Sequence, residues 1–411
     1  MREKCEYCGK PKLVSWCSTC NSENFRKQFD KWTSGNSIID EFIQKIQLEA
    51  TRNYQVLEWV EFKDITDIEF LAEGGYGKVY KAIWKSGPIE SYDNKKQRWN
   101  RVGETGIVLK SIKNLENVEK DFFNEIETQM TSCGQFSYII RCYGITQCPN
   151  TGNYMMIMDY KKDGSLRNYL DKNFNLLKWS QKLDLLYTAI KGLFEIHEKK
   201  LVHHDFHSGN IIVSGEESYI ADFGLCKNIN SEEEDSVFGV LPYIAPEVLR
   251  KKKYEKAADI YSFGIIMNQV ASGYPPYFDC NHDTGLALQI IEEGRRPGIN
   301  ENTTPQAIID LIKRCWSENP KDRPTAIQLL RELGNYKIDK DHEIWKQIDK
   351  IEKNKNFDIS PQEASLKYET SKQAFYTSKR YDLSAMASNT TIKRLSLPPE
   401  SKSWNIPTDF D

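Results

Sequence analysis

Apolar residues follow two different patterns in the two halves of the main part of the chain. In the first half, short alternating or continuous apolar segments predict strands at 68–84, 106–112, 139–146 and 153–160. In the second half, apolar residues recur at helical spacing in 179–200, 256–272 and 304–316. Strands followed by helices predict an α+β fold with a small antiparallel sheet lobe and a larger helical lobe.

The residues before this region have a pattern of their own. Apolar residues at helical spacing in 37–50 predict one helix, with Ser37 as its N-cap. The segment 54–62 then alternates between apolar and polar residues, which predicts a leading strand.

Composition divides the chain into four parts. Residues 1–25 form a cysteine-rich head, and residues 26–63 a helical linker with the leading strand. The main domain spans 64–334, with the sheet lobe at 64–160 and the helical lobe at 161–334. The tail, 335–411, is rich in Ser, Thr and Lys and has few apolar residues. We expect it to be mostly disordered, with one short helix and no regular structure after about Phe357.

Charge and hydropathy exclude several classes of protein. The 411 residues carry a formal net charge of -3, with 28% charged and 12% aromatic residues. This balance argues against nucleic acid as a partner and against a basic membrane patch. There is no run of eighteen apolar residues and no apolar core of a secretory signal near Met1, so we expect a cytoplasmic or nuclear protein without a membrane span.

A glycine-rich turn and a lysine suggest a phosphate site. In "EGGYGKVY", Gly74, Gly75 and Gly77 allow the backbone to approach phosphates closely, although a plain β-hairpin has the same pattern. Lys110 follows on the next strand, where its ammonium can reach the α- and β-phosphates. A buried lysine needs an anionic partner, and Glu125 on the next predicted helix can supply it.

Three polar residues further along can hold a metal and a substrate hydroxyl. In "HHDFHSGN", Asp205 can accept or orient a hydroxyl proton, and Asn210 can bind a metal. Asp222 follows a short apolar strand and can hold Mg²⁺ against phosphate oxygens. Taken singly, each residue has a structural alternative, such as an Asp in a turn or an Asn that caps a helix.

In order and spacing, these residues resemble the protein kinases over residues 68–330. The segment "RCWSENPKDRP" resembles the tyrosine-kinase and tyrosine-kinase-like branches, and the resemblance implies that Arg323 pairs with Glu247. It also implies a two-lobed kinase fold, MgATP as cofactor and a protein substrate, with Ser or Thr favoured over Tyr as acceptor. By the same resemblance, Met158 is the gatekeeper residue, and residues 159–161 are the hinge whose backbone groups pair with adenine.

The resemblance assigns the active site residue by residue. The catalytic residues are Asp205, Lys110, Glu125, Asn210 and His207, with Asn210 and Asp222 as Mg²⁺ ligands. The ATP-binding residues are Ala72, Glu73, Gly74, Gly75, Tyr76, Gly77, Lys78, Val79, Lys110, Met158, Asp159, Tyr160, Lys161 and Asp222.

Four residues depart from the family pattern. Ala72 stands in place of the first glycine of the phosphate loop, and Val240 in place of a usual Thr. His204 replaces the Arg that usually binds an activation-loop phosphate, and the loop is already acidic at 232–235. We therefore expect activity without activation-loop phosphorylation. His207 replaces the Lys that contacts the transferred phosphate, and we expect a protonated His207 to stand in for it.

His203 matches a family position that packs under the Asp-Phe-Gly segment, so we expect a core imidazole. Together with His204 and His207 it could instead bind zinc from one loop. We favour the packing role, because the resemblance accounts for His203 without a metal.

Four cysteines in the head have the spacing of a zinc site. Cys5, Cys8, Cys17 and Cys20 form two C-x-x-C pairs, and so short a segment needs a metal to hold its fold. Free thiols or redox pairs are the alternatives. A structural zinc-ribbon-like head is expected, with Trp16 as an exposed aromatic residue for a protein partner.

Two further functions compete with an active kinase. His204, His207 and Val240 also suit a pseudokinase that binds nucleotide as a signalling scaffold, and the head could bind RNA, although no basic stripe is present. In the tail, Ser396 follows two basic residues and is a candidate phosphorylation site.

Overall fold

The structure is a computed structural model of the chain. It describes residues 3–12, 16–74, 77–111, 119–134, 137–230, 237–353, 355 and 357–381. Of the residues named above, Gly75 and Tyr76 of the glycine-rich turn, residues 232–235 of the activation loop and Ser396 of the tail lie outside this description.

Fourteen strands are present in the described residues. In chain order they are β1 (Glu58–Trp59), β2 (Ile65–Gly74), β3 (Gly77–Trp84), β4 (Ile89–Asp93), β5 (Arg98–Arg101), β6 (Thr105–Ser111), β7 (Cys142–Gln147), β8 (Tyr154–Asp159), β9 (Leu201–Val202), β10 (Ile211–Ser214), β11 (Glu217–Ile220), β12 (Lys227–Asn228), β13 (Val237–Gly239) and β14 (Lys379–Tyr381).

Twelve α-helices are present in the same residues. They are α1 (Ser18–Arg26), α2 (Ser37–Glu49), α3 (Glu119–Ser132), α4 (Leu166–Asn173), α5 (Trp179–Glu198), α6 (Pro246–Leu249), α7 (Lys256–Ser272), α8 (Thr284–Glu292), α9 (Gln306–Cys315), α10 (Ala326–Ile338), α11 (Glu343–Glu352) and α12 (Pro361–Ala364). None of the helices described is both long and apolar enough to cross a membrane.

The first lobe is a six-stranded sheet in the order β1-β7-β8-β6-β3-β2. All neighbours are antiparallel except β1 and β7, which pair in parallel. Apolar side chains alternate between the two faces of the central strands, so that Ile107, Leu109 and Ile157 belong to one buried cluster. On the other face, Met156 packs in a second cluster with Ile126 of α3. The predicted sheet lobe is confirmed, and the linker supplies its β1 edge.

The second lobe is helical, as predicted. Its centre is α7, which is buried over nearly its whole length because the sequence is apolar on every side. The helices α5 and α10 pack beside each other, and α9 packs against α7. One continuous core joins Leu183, Ile190, Phe263 and Leu329. This lobe provides the rigid support for the loop between β9 and β10, which carries Asp205.

The helix predicted in the linker forms, with a different N-cap. Asn36, in extended conformation, accepts hydrogen bonds from the backbone of Ile38 and Ile39 at its side chain. Ser37 is the first helical residue, so its prediction as N-cap is wrong by one position. An Asn side chain reaches the second and third amide groups of a helix well, which explains the choice. Ile39 and Ile43 then pack into the sheet-lobe cluster.

The segment between β3 and β6 folds as a hairpin that holds the N-terminal head. Strands β4 and β5 pair antiparallel, and Trp99 stacks on Phe25 at a ring-centroid distance of 4.3 Å. Trp16 joins this stack and is only 3% exposed, with its indole N–H bonded to the Ala50 carbonyl oxygen. The prediction of an exposed Trp16 is wrong, because three aromatic rings bury one another here.

The chain after α10 packs on the helical lobe as far as Tyr381. The helix α11 buries Ile344 and Ile348 in the main core, and α12 lies against α4. We expected no regular structure after Phe357, but the described residues include α12 and β14. Sparse tyrosines explain the difference, since Tyr368 and Tyr376 each contact aromatic side chains of the lobe.

Candidate active site

A buried lysine lies between two carboxylates where the lobes meet. Lys110 on β6 donates from Nζ to Glu125 Oε1 on α3 at 2.7 Å and to Asp222 Oδ1 at 2.8 Å. Burial alone would lower the pKa of Lys110, but the two carboxylates outweigh it and raise the pKa above its usual value. The lysine is therefore a fixed cation, aimed by the ion pair that the sequence predicted.

The glycine-rich turn joins β2 and β3 beside this lysine. Ala72 pairs with Val79, Glu73 with Lys78, and Gly74 with Gly77. Gly77 has a φ of +141°, and a Cβ there would lie 2.0 Å from the Ser111 carbonyl oxygen. Only glycine suits this position, because the strand that carries Lys110 approaches so closely. Ala72 is exposed on β2, so its side chain is accommodated without crowding.

Asp259 positions the loop that carries Asp205, the predicted catalytic aspartate. Its carboxylate on α7 accepts the backbone N–H groups of His203 at 2.9 Å and His204 at 3.3 Å. His197 and Tyr254 also contact it. Burial alone would raise the pKa of Asp259, but the hydrogen bond and charge of His197 outweigh it and lower the pKa. The role of Asp259 as an anchor of the loop backbone emerges from the structure.

Asp205 and Asn210 are joined directly. Asn210 donates from Nδ2 to the Asp205 carbonyl oxygen at 3.0 Å and to Asp205 Oδ2 at 3.2 Å. The amide oxygen of Asn210 is thereby the atom left for a metal. Asp222 has a φ of +62°, an unusual conformation for an aspartate and one often found at functional sites. An amide oxygen and a carboxylate are ligands that Mg²⁺ accepts, so these two side chains fit the predicted ion.

The three histidines of the loop have different surroundings. His203 is fully buried, with Nε2 3.2 Å from the Ala221 carbonyl oxygen and its ring 5.7 Å from that of Phe223. Burial lowers its pKa despite three nearby carboxylates, so this imidazole is neutral. His204 has a φ of +67° and stacks on Tyr254 at 4.1 Å.

His207 points toward Asp205 and is buried. Its Nε2 lies 3.5 Å from Asp205 Oδ2, and its Nδ1 accepts the backbone N–H of Gly209 at 3.0 Å. The proton of a neutral ring is therefore on Nε2, the nitrogen that faces Asp205. Val240 is also buried, so no hydroxyl replaces the Thr that the family usually has there.

The predicted hinge follows β8. Met158 is buried on this strand, and Gln129 of α3 reaches its sulfur at 3.9 Å. Asp159 and Lys161 form an ion pair at 2.9 Å, and the Lys161 ammonium lies 4.0 Å from the centre of the Tyr219 ring. These contacts fix the strand end that connects the lobes.

A buried ion pair secures the far side of the site. Arg323 donates from Nη1 to Glu247 Oε1 at 2.6 Å and from Nη2 to Oε2 at 2.8 Å. The pairing that the resemblance implied is confirmed. It ties α6, which follows the activation segment, to the start of the last helices.

The four head cysteines lie together. Their sulfur atoms are all within 4.8 Å of one another, with Cys5 3.7 Å from Cys20 and Cys8 3.5 Å from Cys17. A tetrahedral ion with bonds of about 2.3 Å holds sulfurs roughly 3.8 Å apart, so the cluster fits zinc. In the part of the chain that the structure describes, no other group of three or more His, Cys, Asp or Glu is placed to hold a metal ion. The three histidines of the catalytic loop thus do not converge on one point.

The sheet lobe, the helical lobe and the Lys110 ion pair between them define the class of protein kinases. A family model described as protein tyrosine and serine/threonine kinase matches residues 65–333. The match covers more than half of the chain, and the protein therefore belongs to this family.

Curated relatives agree with this assignment. Serine/threonine/tyrosine-protein kinase HT1 of Arabidopsis thaliana is 26% identical over 317 residues, which cover 76% of each chain. A putative serine/threonine-protein kinase/receptor of Acanthamoeba polyphaga mimivirus is 30% identical over 298 residues, 69% of this chain. The chain covers only 17% of that longer protein. The probable serine/threonine-protein kinase drkA of Dictyostelium discoideum is 28% identical over 289 residues, with 41% of its length covered.

Proposed function

We propose that the protein transfers the γ-phosphate of MgATP to a protein hydroxyl, with Ser or Thr favoured over Tyr. The observation that carries the proposal is the contact of Lys110 with both Glu125 and Asp222. This arrangement aims one cation at the phosphates and keeps a carboxylate beside it for Mg²⁺. The names of the relatives support the choice of Ser and Thr.

Each residue has a defined task in this mechanism. Lys110 binds the α- and β-phosphates, while Asn210 and Asp222 would hold the Mg²⁺ that neutralises the developing charge. Asp205 accepts the proton of the acceptor hydroxyl, and residues 159–161 bind the adenine. The protein contributes position and electrostatics rather than covalent chemistry.

His207 takes the place of the phosphate-binding lysine in this proposal. Its Nε2 faces Asp205, where the transferred phosphate must pass. The side chain is thus placed to contact the transferred phosphate, as the family lysine does. We expect His207→Ala to lower the initial rate of transfer and His207→Lys to retain it. An unchanged rate in His207→Ala would contradict the role.

The test of the activity is transfer of radiolabelled phosphate to a generic protein acceptor by the full-length chain. Asp205→Asn is the matched control, since it keeps the shape of the side chain and removes the base. We expect transfer by the parent and a loss of at least about a hundredfold in the variant. Thermal stabilisation by MgATP without transfer would instead support the pseudokinase function. Phosphoamino-acid analysis of the product identifies the acceptor type.

Activation-loop phosphorylation is not required in this proposal. His204 stacks on Tyr254 and supplies no guanidinium for a phosphate. Phosphatase-treated protein and the double variant Ser231→Ala/Ser236→Ala are expected to keep most of the transfer rate. A near-complete loss in both would contradict this part.

Zinc in the head has a structural role in this proposal. Four thiolates fill a tetrahedral ion, so no position remains for catalysis. The head packs through Trp16 onto the sheet lobe, which supports anchoring as its main task, and its outer surface is proposed for a protein partner. We place the protein in the cytoplasm, with the four sequence regions as its domains.

A further inference from the structure

We propose that Ser378 is an autophosphorylation site of this protein, modified within the same molecule. The inference rests on the proposed kinase activity and names a first acceptor residue for the transferred phosphate. The segment 365–381, here called the acceptor segment, lies along the helical lobe and ends in the catalytic centre. Until Ser378 is phosphorylated, this segment occupies the place of a protein substrate.

The hydroxyl of Ser378 lies on the catalytic base. Ser378 Oγ donates to Asp205 Oδ2 at 2.5 Å and lies 3.4 Å from His207 Nε2. The Ser378 hydroxyl is thus within hydrogen-bond reach of Asp205, as proton transfer to a general base requires. The short bond is typical of a hydroxyl that donates to an ionised carboxylate. A sequence separation of 173 residues is bridged, so no local turn imposes this contact.

Backbone pairing fixes the register of Ser378. Strand β14, which begins one residue later, pairs antiparallel with β13 at the end of the activation segment. Tyr381 lies opposite Val237, and Lys379 lies opposite Gly239. The Tyr381 hydroxyl also accepts the Leu241 N–H at 3.3 Å. An extended segment added to an exposed strand is a common mode of peptide recognition, and it gives the acceptor a defined position.

Upstream contacts hold the rest of the acceptor segment on the lobe. The Tyr376 hydroxyl donates to the Pro276 carbonyl oxygen at 3.0 Å, and Arg167 donates to the Tyr376 carbonyl oxygen at 3.2 Å. Further back, Tyr368 donates to Asp171 at 2.7 Å. These contacts tether the acceptor close to its own active site. An intramolecular tether gives an effective concentration of about millimolar, which favours reaction within one molecule.

The chemistry needs only MgATP in addition to the protein. The Ser378 oxygen forms a bond to the γ-phosphorus as the bond from that phosphorus to the β,γ-bridging oxygen breaks. The hydroxyl proton passes to Asp205, and the electron pair of the broken bond leaves with ADP. The products are phosphoserine and ADP, so atoms and charges balance.

Phosphorylation changes the fit of the segment. The phosphate of Ser378 adds between one and two negative charges beside the Asp205 carboxylate. Like charges at this distance repel each other. His204 stands where the family usually has a phosphate-binding arginine, so that arginine is not there to hold the new phosphate. The acceptor segment is then expected to leave the place of the protein substrate and to free it for other substrates.

Thr377 is a matched control within the same segment. It is adjacent to Ser378 and exposed, whereas Ser378 is half-buried at Asp205. Thr377 lies at a bend before β14, and the hydroxyl that contacts Asp205 is that of Ser378. The two hydroxyls therefore share sequence context and differ in access to the catalytic centre.

The experiment follows autophosphorylation of the full-length protein in MgATP, with the site mapped by mass spectrometry. We expect phosphate mainly on Ser378, loss of most incorporation in Ser378→Ala, and no change in Thr377→Ala. The rate per molecule should not depend on protein concentration. Asp205→Asn mixed with active parent should remain unlabelled at Ser378.

The outcomes separate this inference from the proposed kinase function. Transfer to a generic acceptor without label on Ser378 overturns the inference and leaves the function standing. Transfer to no acceptor at all overturns both. Efficient labelling of Ser378 in Asp205→Asn, or a rate that rises with protein concentration, overturns reaction within one molecule.

The departure of the phosphorylated acceptor segment from the substrate site is tested by a separate measurement. After autophosphorylation, the apparent KM for an added peptide substrate should fall roughly tenfold in the parent and in Thr377→Ala. In Ser378→Ala the apparent KM should stay high after the same incubation. An unchanged KM in phosphorylated parent would overturn the blocking role of the segment.

Discussion

At the scale of single residues, burial and neighbouring charge set the state of each group in the catalytic loop. Burial alone would raise the pKa of Asp205, but the charge and hydrogen bond of His207, with the hydrogen bond from Ser378, lower it. Asp205 is therefore an ionised acceptor at neutral pH. His203, two residues earlier, is held neutral by the same burial.

The neutral His203 predicts a dependence of stability on pH. Because its pKa is lowered in the folded protein, the unfolded state binds the extra proton as pH falls through about 6.5. The contribution of His203 to the free energy of unfolding is fully present above that pH. Below it, the free energy of unfolding decreases by up to about 1.4 kcal/mol per pH unit. Denaturant unfolding between pH 5 and 7 measures the slope.

His203→Gln is the comparison for this slope, since glutamine does not titrate. Its stability is expected to be lower at pH 7 and to approach that of the parent at pH 5. Parallel curves for the two proteins would show that another group causes the dependence.

At the scale of elements, the presence of a helix or strand was easier to predict than where a helix ends or which strands pair. The long apolar periodicity of α5 and α7 determines those helices from the sequence alone. The cap of α2 depends on the backbone angles of one residue, which a pattern does not specify. The β4–β5 hairpin was missed because its strands are polar, with exposed Arg98 and half-buried Trp99 facing different partners.

The corrected cap gives a prediction for α2. Asn36→Ala removes the side-chain acceptor for the amides of Ile38 and Ile39 and should lower the free energy of unfolding by about 1 kcal/mol. Ser37→Ala is the control, and its effect should be smaller because no cap is lost. Thermal melting of the two variants beside the parent measures the difference. Equal losses would contradict the assignment of Asn36.

At the scale of the whole molecule, a few long-range contacts join parts that are distant in sequence. Arg323 and Glu247 are both buried, with two hydrogen bonds between them. Removing one partner leaves a charge without compensation, so Arg323→Met should destabilise the protein by about 3–5 kcal/mol. Denaturant unfolding followed by tryptophan fluorescence measures the loss.

A second arginine serves as the control for this pair. Arg314 contacts Glu332 with side chains that are 47% and 33% exposed. Water screens such a pair, and Arg314→Met should cost only about 0–1 kcal/mol. Similar losses in both variants would refute the argument from burial.

The head and the sheet lobe are joined by aromatic packing, which predicts the kinetics of zinc release. Trp99→Ala removes the ring that stacks on Phe25 and Trp16. Release of zinc to a chromogenic chelator should become about tenfold faster, which corresponds to about 1.4 kcal/mol of lost packing. Arg98→Ala on the same strand is exposed and should leave the rate unchanged. An unaltered rate in Trp99→Ala would contradict the anchoring role.

Most of the candidate site was predictable, because its chemistry depends on residue types at fixed spacings. Lys110, Glu125, Asp205, Asn210 and Asp222 were all identified from motifs. In the structure Lys110 contacts Glu125 and Asp222, and Asn210 contacts Asp205. The motifs did not predict that the hydroxyl of Ser378 contacts Asp205. The sequence offered Ser396 in the tail because of its two basic neighbours, whereas Ser378 has no comparable signal before it.

The sequence by itself determined the two lobes, the cysteine cluster and the candidate catalytic groups, because local periodicity and motif spacing encode them. Only the tertiary structure decided that Trp16 is buried, that Asn36 caps α2, and that Ser378 lies on Asp205. Each of these depends on a contact between residues far apart in the chain or on one backbone angle. Such contacts arise when the whole chain packs, and no local pattern of residues specifies them.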